Sequence, residues 1–320
     1  MTTLSAGRLT RRTTLKLAAV ALVAASVPLV ASAQATQAAP AAAFPSAIFL
    51  VTDPPPAPTT TLALDSSGLG TANASPAQAS YAPDTVVALT PAPAAGALFI
   101  GWRVDGLPRG WAAPLRLAMD RDHAVTALFA PRPRYPDVGP ASPHAGAIEQ
   151  LAARQVIKGY ADGTFGPDNP VQRAQGAALL VRALGWGDES AENPFTDRGG
   201  IDAELWRAVA ILARRGVAHG YGNGRYGPSD PVLRAQVISL VARALVEQGC
   251  WQRQADDGTL YPNVPASSGH RRDLATFVAY AGPVSGERDP GGSFAAWNEP
   301  ASRGWFAAIL WQALDSSFGR

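Results

Sequence analysis

Two arginines, Arg173 and Arg234, each stand three residues after a proline inside stretches that repeat one another, GYADGTFGPDNPVQRAQ at 159–175 and GYGNGRYGPSDPVLRAQ at 220–236. Asn169-Pro170 and Asp230-Pro231 read as helix starts, the polar residue capping and the proline taking the first helical position. Each arginine then falls in a first helical turn, where the positive end of the helix dipole disfavours a cation. A cation placed twice against that field requires a partner. One reading is internal, with the guanidinium tying the loop down through carbonyls or through an acid such as Asp162. The other is an external anion received jointly by arginine and helix N-terminal amides. Asp162 and Asp168 lack the regular oxygen spacing of a calcium loop, so no metal is expected there.

Catalytic chemistry finds little support. The four histidines, His123, His144, His219 and His270, show no metal-ligand spacing. Cys250 is alone, which excludes a disulfide framework and a thiolate metal site. There is no Gly-x-Ser-x-Gly elbow, phosphate loop or dinucleotide fingerprint. Asp256-Asp257 reads as a solvated turn. The expectation is a protein that is not an enzyme and takes no cofactor.

The elements that must hold the arginines recur as helix-loop-helix units. Tyr135-Pro-Asp-Val138, Phe195-Thr-Asp197 and Tyr261-Pro-Asn-Val264 open the units at spacings of 60 and 66 residues. Apolar residues at helical intervals follow each opening: Ile148, Leu151, Ala152 and Val156; Leu205, Val209, Leu212 and Ala213; Leu274, Phe277, Val278 and Ala281. Second helices are expected at 174–186, 235–248 and 305–318. In the loops between, Gly159, Gly163 and Gly166 permit tight turning, and Phe165 and Tyr226 are single apolar anchors. One helix pair cannot bury both apolar faces, so three pairs are expected to form one compact helical domain, divided at 131–190, 191–255 and 256–320.

Upstream the character changes. Residues 1–33 carry Arg11-Arg12, an apolar run from Leu17 to Val30 and the small-residue site Ala31-Ser32-Ala33, an export signal similar to the twin-arginine type. Residues 34–46 read as a flexible linker. Residues 47–130 read as a small antiparallel β module with strand-like runs at 47–51, 60–64, 85–89, 97–104 and 124–130, and PRPRYP at 131–136 is a stiff connector. Four of the 27 basic residues lie in the signal, leaving 23 against 25 acidic ones, so no basic face for nucleic acid is expected. No segment after the signal is long and apolar enough to span a membrane.

Val156-Ile-Lys-Gly-Tyr-Ala-Asp-Gly-Thr-Phe-Gly-Pro167, the Phe/Tyr-x-Asp/Asn openings and the Arg-Ala-Gln ends resemble S-layer homology repeats over 135–318. That resemblance implies a multidomain chain whose mainly α-helical part is a pseudo-threefold trimer of units. It implies grooves between units that hold cell-wall polysaccharide, often with acidic pyruvyl ketals. The family's recurrent ligand arginine falls on Arg173, Arg234 and Arg303, the last keeping the offset from Pro300. Asp162 and Gly163 of the loop motif join the implied ligand set. So does Trp206, at a first-helix position where the family often has tryptophan. No copy keeps both halves of the family's Thr-x-x-Glu capping pair, the positions being Gln172…Gln175, Leu233…Gln236 and Ser302…Trp305. The third loop also lacks the Tyr-x-Asp-Gly core.

The β region, through Tyr81, Phe99, Gly101, Trp102, Val125 and Phe129, is similar to the internalin-B-type bacterial repeat. Trp102 is expected in its core and Trp111 as an exposed contact. The implied function is non-catalytic, non-covalent anchoring at the cell surface to an acidic wall polymer. A peptidoglycan-associated polymer and other surface proteins are further partners. The alternative is an exported interaction or structural envelope protein whose repeats no longer bind glycan.

Overall fold

The computed structural model describes residues 59–256, 258, 260–284, 294 and 296–319. The export signal, the linker and the run at 47–51 lie outside these residues.

Among the described residues the β module has seven strands: β1 Leu62–Ser67, β2 Gly70–Ser75, β3 Val86–Pro93, β4 Ala97–Val104, β5 Leu107–Pro108, β6 Leu115–Ala118 and β7 His123–Pro131. They form two sheets, ordered β1-β7-β4-β5 and β2-β3-β6. Alternating burial in β3, β6 and β7 turns Val87, Leu89, Leu115, Leu117, Val125 and Phe129 into one core shared with Tyr81, Trp102 and Met119. Trp102 is 1% exposed and donates its indole N–H to the Ala112 carbonyl at 2.8 Å. The module is not wholly antiparallel, as the sequence suggested: β1 pairs parallel to β7, from Leu62 beside His123 to Ser67 beside Leu128. Tight turns force only adjacent strands of one sheet to be antiparallel. β1 and β7 are the first and last strands, so no turn constrains them. β2 was not anticipated, because GTANAS is poor in strand formers.

The helices are α1 Ala145–Ala153, α2 Arg173–Ala183, α3 Ala203–Arg214, α4 Arg234–Glu247, α5 Arg271–Ala281 and α6 Arg303–Phe318. One continuous apolar core runs through all six. The second helix of each unit packs on the first helix of the next in cyclic order: α2 on α3, α4 on α5, and α6 on α1. The backbone repeats this cycle. Val232 N–H donates to Val171 at 2.8 Å, Ala301 N–H to Val232 at 2.8 Å, and Val171 N–H to Ala301 at 3.0 Å, closing a ring.

That ring corrects the expected helix starts. Pro170 and Pro231 are not first helical residues; they lie in short extended bridges, Pro170 with Ser302 and Pro231 with Gln172. Helices begin three residues later, at the arginines, after extended Gln172, Leu233 and Ser302. Pairing with a neighbouring unit draws the segment straight and overrides the Asn-Pro and Asp-Pro signals. Asn169 and Asp230 cap nothing here. Asn169 donates to the Tyr160 hydroxyl at 3.2 Å, and Asp230 accepts from the Tyr221 hydroxyl at 2.8 Å. Each helix keeps half of a capping box: the Gln175 and Gln236 side chains each accept the cap residue's N–H at 3.1 Å, and the Ser302 hydroxyl accepts Trp305 N–H at 3.3 Å.

The β module sits directly on the helices. Trp111 stacks on Trp311, with centroids 5.6 Å apart, and donates to Asp315 at 3.1 Å. The Arg154 guanidinium lies over both rings and donates to the Phe99 carbonyl at 3.3 Å. Trp111 therefore makes a contact within the chain instead of the exposed one expected. Burial lowers the Arg154 pKa to about 10 despite the opposing charge of Asp315, so the group stays cationic at neutral pH.

Candidate functional site

The Asp or Asn of each opening motif builds the loop that carries the site. Asp137 accepts the N–H groups of Phe165 and Gly166 at 2.8 and 2.6 Å, and Asp197 those of Tyr226 and Gly227 at 2.8 Å each. Asn263 does the same for Phe294 at 2.9 Å and donates back to its carbonyl at 2.7 Å. Burial pushes the Asp137 and Asp197 carboxyls up, but the two backbone bonds to each outweigh it and hold both below the usual 3.8. Gly166 and Gly227 have φ of 67° and 70°, and a Cβ there would collide with Asn169 or Asp230 and with the loop tyrosine. The loop is thereby folded back on its own unit, and Phe165 and Tyr226, each 1% exposed, pin it.

Every repeated arginine crosses into the next unit. Arg173 leaves α2 and reaches the second loop, donating Nε–H to Tyr226 O at 2.8 Å, and its terminal nitrogens to Gln236 Oε1 and His219 O at 3.2 Å each. Its guanidinium lies 4.5 Å from the Tyr226 ring centroid and 5.0 Å from that of Tyr221. Arg303 treats the first loop alike, bonding Phe165 O at 2.8 Å and Lys158 O at 2.9 Å, over Tyr160 and Phe165. Arg234 lies over Trp305, 5.1 Å from the ring centroid, toward the third unit. Here is the partner that the dipole argument required: carbonyls of a neighbouring loop, not Asp162. Each terminal nitrogen of Arg173 has one N–H beyond these bonds.

The crossings floor two equivalent grooves. The first, of about 120 Å³, is lined by Lys158, Gln175, Arg182, Leu205 and Arg303 among others. The second, of about 230 Å³, is lined by Arg173, His219, Gln236, Ser239, Arg243 and His270 among others. Arg182 pairs with Glu204 at 2.8 Å and Arg243 with Asp273 at 2.7 Å, so the next unit's first helix closes each groove's far side. A third cleft, of about 590 Å³, differs. It runs between α1 and α6, is walled by Leu98 and Arg132 of the β module and connector, and has Gln312 where the others have arginine. Gln312 donates to the Ala281 and Pro283 carbonyls, at 2.8 Å each.

Of the residues expected from sequence, Arg173 and Arg303 line grooves, and Arg234 of the second unit lies over Trp305 of the third. Asp162 and Gly163 are exposed at the loop tip, Asp162 accepting the Thr164 N–H and hydroxyl at 2.9 and 2.7 Å. Trp206 is half-buried on α3, and its neighbour Leu205 lines the first groove in its place. Lys158, Arg182, Gln175, Gln236 and Arg243 were missed. Their signal was available, since Lys158/His219, Gln175/Gln236 and Arg182/Arg243 are each separated by 61 residues, as are Arg173 and Arg234.

Two segments, residues 134–177 and 194–238, match the S-layer homology domain. They hold the first two loops and the arginines Arg173 and Arg234. A cell surface protein of Thermoanaerobacter kivui is 32% identical over 129 residues, covering 38% of this chain and 16% of that protein. The S-layer protein EA1 of Bacillus anthracis is 29% identical over 121 residues, 38% of this chain and 14% of that one. An amylopullulanase of Thermoanaerobacterium thermosulfurigenes is 30% identical over 173 residues, 53% of this chain and 9% of the enzyme. The chain thus spans less than a fifth of each relative. The S-layer homology domains and the cell-surface relatives indicate an exported protein of the cell surface. No helix among the described residues is long and apolar enough to cross a membrane.

Proposed function

We propose that this chain is a non-catalytic surface protein that binds an acidic secondary cell-wall polysaccharide, pyruvylated or otherwise carboxylated, in grooves between three S-layer homology units. The units are read as 131–190, 191–255 and 256–320, related by a pseudo-threefold axis. The closed ring through Val171, Val232 and Ala301 and the cyclic helix packing support that symmetry. One observation carries the function. Two grooves at equivalent places each gather an arginine from the preceding unit, a glutamine from the helix start and an arginine from the third helical turn. Cations converging in a concave, partly apolar site suit a carboxylate on a sugar. Arg173, Arg234 and Arg303 are the proposed inner contacts, with Asp162, Gly163 and Trp206 at the outer margin. The β module is read as an internalin-B-type projection, supported by the shared core of Tyr81, Trp102 and Phe129. Residues 1–33 are read as a twin-arginine-like export signal.

Co-sedimentation of the mature chain with wall sacculi, before and after acid stripping of secondary polymers, tests the reading. Binding is expected to disappear on stripping. A folded chain that sediments with neither preparation contradicts it.

A second reading is favoured by the third cleft alone. Its glutamine turns to backbone carbonyls and the β module walls it, so that face suits packing or a protein partner better than an anion.

A further inference from the structure

The two cationic grooves occupy equivalent positions but are not chemically equal, and the difference lies in histidine. The first groove has Lys158 on its loop, and α3 beside it starts from Asp202. In the second groove the loop position is His219, and α5 starts from His270, whose Nδ1 lies 2.8 Å from the Ser239 hydroxyl. His219 stands exposed at the mouth and His270 is half-buried in the wall.

Their charged surroundings can be named element by element. Arg173 reaches in from α2, with its terminal nitrogen on His219 O. Arg243 comes from α4 and Asp273 from α5, paired at 2.7 Å, and Arg253 approaches Asp273 to 3.8 Å from the segment after α4. Tyr221 and Tyr226 complete the loop side. Asp273 thus faces both Arg243 and Arg253, and no carboxylate among the groove's lining residues faces Arg173. This arrangement suits an incoming anion.

Building on the proposed glycan reading, we infer that the second groove is an acid-strengthened site for a carboxylated sugar, in which His219 and His270 take up protons as the carboxylate settles beside Arg173. The first groove, with Lys158 and Arg182, binds the same sugar at constant strength from pH 5 to pH 8. Physical linkage fixes the sign. Partial burial lowers both imidazoles below 6.5, Arg243 lowers them further, Asp273 opposes and Arg253 adds to the lowering at His219, so the empty groove holds neutral histidines at pH 7.5. A bound carboxylate, itself ionised throughout this range, raises both. A group whose pKa rises on binding binds protons with the ligand, so affinity increases as pH falls through the range between the free and bound values. The chain would thereby hold its polymer through one groove at neutral pH and through two in an acidic microenvironment.

The test uses the mature chain and polymer-bearing sacculi at pH 5.0 and 7.5 and constant ionic strength. With the first groove weakened by Lys158→Ala and Arg182→Ala, binding is expected to strengthen about tenfold on acidification. Adding His219→Gln and His270→Gln should remove that pH dependence. A pH response that persists in the glutamine variant, or no response before it, overturns the inference. Calorimetry of the unmutated chain with acid-released polymer at pH 6, in buffers of different ionisation enthalpy, gives a readout independent of variant folding. Net proton uptake supports the inference and zero uptake contradicts it. Failure of the unmutated chain to bind sacculi at either pH instead defeats the glycan reading on which it rests.

Discussion

Arg173 shows how one residue serves two ends. It is 6% exposed and bonds two loop carbonyls and Gln236 of the next unit, so Arg173→Ala leaves two carbonyls without this donor and Gln236 with the Leu233 N–H alone. The expected cost is about 2–4 kcal/mol in chemical denaturation, since bonds to charged groups are the costlier ones to break. Lost binding in that variant would therefore not separate recognition from folding. Lys158 and Arg182 are cleaner probes, because the Arg182–Glu204 pair is exposed and worth about 0–1 kcal/mol. Asp197→Ala should cost about 1–2 kcal/mol by releasing the Tyr226 and Gly227 amides. The same carboxylates predict acid sensitivity. Asp137 and Asp197 lie below 3.8 in the fold, so their contribution is complete above the unfolded pKa and disappears as pH falls through the folded value. A urea midpoint that drops steeply below about pH 4, beyond the gentler loss between pH 7 and 5 caused by the lowered His144, His219 and His270, would show it. In Asp197→Asn the drop should be shallower.

At the scale of elements, the six helices and four of the seven strands follow from apolar periodicity, and the structure moves most of their ends by a residue or two. What periodicity could not supply was the partner. Asn169-Pro170 and Asp230-Pro231 carry every local mark of a helix start, yet these segments extend to meet another unit's backbone, and nothing local encodes that meeting. The loop-holding role of Asp137 was hidden for the same reason: its ligands are amides some thirty residues away. The groove residues were more legible than the reading allowed. Aligning the two doubled stretches at their fixed offset picks out Arg182 and Arg243 without a structure. Because the ring through Val171, Val232 and Ala301 needs all three units, a chain ending at residue 255 should not fold cooperatively. Hydrogen exchange of the full chain should find those three amides in one protection class. A cooperative melt of the truncated chain would show that two units suffice.

At the scale of the molecule, the β module is fixed to the helices through the Trp111–Trp311 stack and the Arg154 guanidinium above both rings. Trp111→Ala should split a single thermal transition into two, followed by tryptophan fluorescence and calorimetry together. Among the described residues two inter-unit faces are cationic grooves and the face between α1 and α6 is walled by the β module, so polymer engagement is expected first at those two grooves. The claim that most needs testing is that charge in these grooves, not apolar packing, recognises the wall. The decisive measurement is titration calorimetry of the mature chain with acid-released wall polymer, repeated with Lys158→Glu and Arg182→Glu. Charge-based recognition predicts that binding weakens at least tenfold in the folded variant, and again when the polymer's acidic substituents are removed. Equal affinity across the wild type, the charge-reversed variant and the stripped polymer would contradict it.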